Sequence, residues 1–188
     1  MAFASLALPF LPLLATQILL NNFLADAPPL AIASANVDAD QVQSPRRWDI
    51  GFVRRFMITF GLISSAFDFV TFAFLLFVAG ATASLFQTGW FVESLITQLA
   101  IVLVVRTRNS FWRSRPSALL AALTLAVGCL AVAIPSLPIA PWFGFVPLPL
   151  GVMAALLPIT LAYLAVSETA KHWFFARQHV HADARRRR

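Results

Sequence analysis

Six residues in otherwise apolar surroundings carry the chemistry of this sequence: Asn22, Asp26, Pro28, Pro29, Asp68 and Glu93. Asn22 and Asp26 are four apart, so on a helix they share one face. Pro28 and Pro29 have no N–H and clash with the carbonyls of Leu24 and Ala25. This predicts a helix that opens just after Asp26, freeing two carbonyls beside an amide oxygen and a carboxylate. Broken helices with freed carbonyls hold cations in transporters. The donors are hard oxygens, which suit Mg²⁺, Ca²⁺ or an alkali cation rather than Cu or Zn. The competing reading is a proline-kinked helix whose polar groups bond a neighbouring helix. Either way, a charge at mid-membrane costs about 3 kcal/mol on insertion scales and needs a partner.

Asp68 and Glu93 raise the same question. Asp68 shares a face with Ser64 and Thr71, and Glu93 with Thr97. Both acids are candidate ion-pathway residues. The alternative for Asp68 is a structural hydrogen bond to a neighbouring helix. The spacing places Glu93 about one turn from the end of its span, where a carboxylate can be partly wet.

The elements that position these residues follow from composition. The 188 residues are 60% hydrophobic and 12% charged, which implies a membrane protein. The expected fold class is all-α: a polytopic transmembrane helix bundle of about five full spans. An N-terminal half-span covers residues 2–15. The full spans are predicted at 16–34, 53–80, 89–105, 118–134 and 152–170, the last interrupted by Pro158, with a basic tail over 171–188. A loop is expected over 81–88 and an irregular proline-rich one over 135–151. One cysteine, Cys129, excludes a disulfide within the chain.

Lys and Arg fall in three clusters: Arg46, Arg47, Arg54 and Arg55; Arg106, Arg108, Arg113 and Arg115; then Lys171, Arg177 and Arg185 to Arg188. The positive-inside rule puts all three on the cytoplasmic side of the cell inner (plasma) membrane. The basic loop with Phe111 and Trp112 reads as an anchor for anionic lipid headgroups, not for nucleic acid. Glu168 is placed to pair with Lys171 or His172. No glycine-rich phosphate loop, catalytic dyad or nucleotide motif occurs.

Several stretches together resemble the C-terminal membrane half of bacterial magnesium-transporting P-type ATPases. They are FASLALPFLPLLATQILLNNFLAD, NVDADQVQSPRRWDIGFVRRFMITFGLISSAFDFVTFAFLL and FQTGWFVESLITQ, with VVRTR, SRPS and PLPL further on. The resemblance runs through nearly the whole chain in order. It implies one domain over 1–188, the second half of a ten-helix transport unit. Residues 1–15 then end the fifth helix, and the full spans are the sixth to tenth. Asn22 and Asp26 match the family's sixth-helix cation-site residues. Asp68 and Glu93 match acids of the seventh and eighth helices. Ala25 and Leu103 depart from a tyrosine and a histidine common in the family.

The family's phosphorylated aspartate, nucleotide domain, actuator domain and first four helices have no counterpart in this sequence. The expectation is therefore the translocation half of a magnesium pump, with Mg²⁺ as the transported ion and no ATP site of its own. It would be a fragment that works with a separately encoded N-terminal ATPase portion. The alternatives are a stand-alone membrane interaction or regulatory protein, a degenerate pump remnant, or a small channel or carrier.

Overall fold

The computed structural model describes residues 8–32, 50–105 and 117–186. Expectations that rest on Arg46, Arg47, Trp48, Arg106, Arg108, Arg113, Arg115, Phe111 or Trp112 lie outside the described residues. Five long helices carry the chain: α1 (Ala15–Ile32), α2 (Ile50–Ala73), α3 (Ala83–Val105), α4 (Ala118–Ala133) and α5 (Leu150–Arg186). The described residues contain no strand, so the all-helical expectation holds.

Four stretches are long and apolar enough to cross a membrane: Val53–Val78, Ala83–Val105, Ala118–Ser136 and Leu150–Phe174. Helix α1 is not one of them, because Gln17, Asn21, Asn22, Asp26 and its prolines dilute its apolar character. Helix α3 is the hub. It packs against each of the other four, while α1 pairs with α4 on one side and α2 with α5 on the other. Its buried side chains Phe86, Phe91 and Leu95 form the centre of the core. Lipid tails are as apolar as these residues, so close packing and interhelical hydrogen bonds hold such a bundle rather than hydrophobic burial. Leu19, Phe77 and Trp142 accordingly remain exposed.

One end of the bundle is basic and the other carries the apolar loops. At the loop end, α2 widens into a π-helical turn, Phe74–Val78, closed by Gly80 at φ 55°. Two short 3₁₀ turns, Ile134–Ser136 and Ala140–Phe143, interrupt the proline-rich loop. Gly144 ends the second at φ 71°, a conformation that favours glycine. At the basic end, the Ser117 hydroxyl caps α4 by accepting from Leu120 N–H at 3.2 Å.

Four features differ from the sequence-based expectation. Residues 8–14 are bends rather than the close of a half-span, with Pro9 and Pro12 among them. The Gln17 side chain then caps α1, accepting from Leu14 N–H at 3.0 Å. Secondly, Pro28 and Pro29 do not open α1, which stays helical to Ile32. Both lie near its C-terminal end, and the fixed φ of proline is itself helical, so two hydrogen bonds are lost without unwinding. Thirdly, Pro158 does not interrupt α5, and the helix continues through the basic tail to Arg186.

Fourthly, residues 83–88 are helix rather than loop. Their polar side chains find tertiary partners. Gln87 Nε2 donates to Leu11 O at 2.7 Å, and Thr88 Oγ1 accepts from Val146 N at 3.1 Å. Residues read as loop-formers are therefore buried hydrogen-bonding groups.

Candidate ion-binding layer

Helix α1 has two unlike faces. Gln17, Asn21, Leu24 and Pro28 are buried against the bundle, at the spacing of an inward stripe. Leu19, Asn22, Phe23, Asp26 and Leu30 are exposed. Asn22 and Asp26 do share a face, and that face looks away from α3 and α4. The prolines supply no N–H to the carbonyls of Leu24 and Ala25, so these acceptors stand next to Asp26 even though the helix is continuous. The neighbouring Asn21 is the one turned inward, and its Oδ1 has no hydrogen-bond partner among the described residues.

Gln17 fastens the loop end of this helix. Besides capping α1, its Nε2 donates to Phe143 O at 2.9 Å, and the side chain has no exposure. One buried amide thus joins α1 to the second 3₁₀ turn.

On the other side of α3, Asp68 and Glu93 lie on the adjoining helices α2 and α3. Asp68 lies about ten residues, roughly 15 Å, from the Val78 end of its helix, and Glu93 about as far from the Ala83 end of its own. Both are therefore near mid-bundle. Glu93 is not near an end, because α3 begins earlier than expected; it is only 1% exposed. Asp68 Oδ1 accepts a long hydrogen bond from Trp90 Nε1 at 3.4 Å. Trp90 precedes Glu93 by one turn of α3, so the Trp90–Asp68 contact sets both acids along the seam between α2 and α3.

Their surroundings are polar on three helices. Ser64, on the Asp68 face, lies 2.9 Å from the Tyr163 hydroxyl of α5. Tyr163 is buried, and its Ser64 partner stands one turn before Asp68 on α2. Thr71, on the same face of α2, is fully buried with an unpartnered Oγ1. Thr97 does not meet the Glu93 carboxylate; its hydroxyl donates to the backbone oxygens of Glu93 and Ser94.

Sequence reasoning missed Tyr163, Trp90 and Asn21. The chain has a single tyrosine, placed mid-span between Thr160 and Ser167, and that polar spacing was the available signal. At the basic end, the expected pairings of Glu168 are present: Lys171 at 2.8 Å and His172 at 3.3 Å. Among the described residues no three His, Cys, Asp or Glu side chains gather. Any metal would therefore draw on amide, hydroxyl, carbonyl or water oxygens beside one or two carboxylates, a donor set for hard cations.

Membrane-length helices around a polar mid-level layer define a polytopic α-helical membrane protein. More narrowly, the chain belongs to the family of the cation transporting ATPase C-terminus, whose model matches residues 10–173. It is 40% identical over 179 residues to the magnesium-transporting ATPase, P-type 1, of Salmonella typhimurium strain 14028s. The protein of that name from Escherichia coli K12 is 39% identical over 179 residues. Another from Salmonella typhimurium LT2 is 35% identical over 182. Each match takes in 93% of this chain and 20% of the relative, so the chain spans about a fifth of the length of the relatives it matches.

Proposed function

We propose that this chain is the cation-translocating membrane segment of a magnesium-transporting P-type pump, and that Asn22 and Asp26 ligate the transported Mg²⁺. The observation that carries this reading is the exposed carboxylate and amide on the outward face of α1. A carboxylate held at membrane depth needs a partner. Further chain of the same pump, corresponding to the four-fifths of each relative that lies outside the match, would cover that face and close the site. The carbonyls of Leu24 and Ala25, left without donors by the two prolines, supply two more hard oxygens. Mg²⁺ retains several waters and takes one or two carboxylates, so Asp26 with an amide, carbonyls and water is a sufficient set.

Phosphoryl transfer needs an aspartyl nucleophile, Mg²⁺ and a nucleotide cradle. In this reading they belong to the remainder of the pump, not to this chain. The bundle sits in the bacterial inner membrane with its basic end in the cytoplasm. The exposed Arg54 and Arg55 there suit anionic headgroups.

The same uncovered face, with Leu19, Phe23 and Leu30, also suits a stand-alone interaction module without transport. The two readings part on one experiment. This segment is joined to the preceding four-fifths of a magnesium-transporting relative and expressed in cells that lack magnesium uptake systems. Transport predicts that the chimera restores growth at low Mg²⁺ and that Asp26→Ala abolishes the rescue. Rescue by both parent and variant alike would favour a face that merely docks.

A further inference from the structure

The acids on the far side of α3 are not used by the reading above. Glu93 is almost fully buried, yet among the described residues its Oε2 has no hydrogen-bond partner. Buried polar atoms are nearly always bonded, so an orphan needs an explanation such as an absent ion. Thr71 Oγ1 is a second orphan, on the face of α2 that also carries Asp68. No Lys or Arg occurs between residues 56 and 105 or between 116 and 170, so these spans supply no basic side chain at that level. The two carboxyl groups therefore lie on adjoining helices, joined through Trp90, which bonds Asp68 at 3.4 Å and stands one turn before Glu93 on α3.

We propose that Asp68 and Glu93 hold a second hard-cation position at the junction of α2, α3 and α5, separated by α3 from the Asn22–Asp26 face. Two carboxylates favour a divalent ion over a monovalent one, and oxygen-only surroundings favour Mg²⁺ or Mn²⁺ over softer metals. Tyr163, held by Ser64 at 2.9 Å, offers a hydroxyl to a metal-held water. Trp90 fixes one Asp68 oxygen and leaves the other for the ion. All these groups lie within this chain, so the position does not depend on the Asn22–Asp26 reading.

The test uses the full chain in lipid nanodiscs titrated with Mn²⁺, with binding read by electron paramagnetic resonance. The parent chain is expected to bind Mn²⁺, and excess Mg²⁺ but not K⁺ is expected to displace it. In an Asp26→Asn background, which removes the first proposed site, Mn²⁺ binding should persist. Glu93→Gln and Asp68→Asn should each weaken it about tenfold or more, with helix content unchanged by circular dichroism. Asp68→Asn alters a half-buried residue and keeps the test open should Glu93→Gln fold poorly. No Mn²⁺ binding by the parent would overturn the proposal. Loss in Asp26→Asn alone would overturn it too, while leaving the first site standing.

Discussion

Lys171 on α5 donates from Nζ to the carbonyl of Val104, the penultimate residue of α3, at 3.1 Å, and its side chain has no solvent exposure. A cation on a carbonyl toward the C-terminal end of a helix meets the negative end of the helix dipole. Glu168, 2.8 Å from the same Nζ, supplies the counter-charge and also meets His172. The last helix is thus fastened to the hub at the basic end, much as Gln17 and Gln87 fasten the loop end.

Lys171→Met keeps the apolar stem and removes the ammonium. It takes away one charged hydrogen bond and leaves the Glu168 carboxylate with less compensation. The expected loss is about 2–4 kcal/mol, read as a lower unfolding midpoint in mild detergent titrated with a denaturing one. An unchanged midpoint would mean that this contact does not fasten α5 to α3.

Gln17→Leu removes an acceptor for Leu14 N–H and a donor for Phe143 O at once. With both backbone groups left short of a partner, about 1–3 kcal/mol should be lost. Faster amide hydrogen exchange should appear at the start of α1 and around Phe143. Exchange confined to α1 would show that the Phe143 contact holds nothing.

Gly144 and Gly80 separate backbone strain from collision. Both have positive φ, but a Cβ at Gly144 would lie 2.7 Å from Leu14 Cδ1, whereas none at Gly80 meets anything within 4 Å. Gly80→Ala should cost about 1–2 kcal/mol, from its left-handed backbone alone. Gly144→Ala should cost more, because Leu14 must move. Equal losses in a side-by-side thermal melt would refute the collision.

Orientation is tested with single cysteines in a Cys129→Ala background. Trp142 is 81% exposed at the loop end, and Arg54 is exposed at the basic end. A membrane-impermeant maleimide added outside spheroplasts should label Trp142→Cys and spare Arg54→Cys. The reverse pattern would invert the topology.

The residues show which parts of this arrangement were legible beforehand. The shared face of Asn22 and Asp26 follows from their spacing alone, and so does the Ser64, Asp68 and Thr71 stripe. The continuity of α1 was not legible, because the cost of two prolines depends on how close to a helix end they fall. The depth of Glu93 was hidden for a different reason. Gln87 and Thr88 look like loop residues until Leu11 O and Val146 N are brought to them by the fold. Lys171 reads as the first residue of a basic tail at the membrane surface, and only the approach of α3 makes it a buried donor to Val104 O. Local periodicity was readable in each case; partners distant in sequence were not.

The central claim is that Asp26 and Asn22 ligate the transported ion. It is tested most directly by Mg²⁺-stimulated ATP hydrolysis of the purified full-length chimera in proteoliposomes. The account predicts that Asp26→Asn and Asn22→Ala each raise the Mg²⁺ concentration needed at the transport site by about tenfold or more, with ATP binding intact. Hydrolysis in both variants with the parent's Mg²⁺ dependence would contradict it.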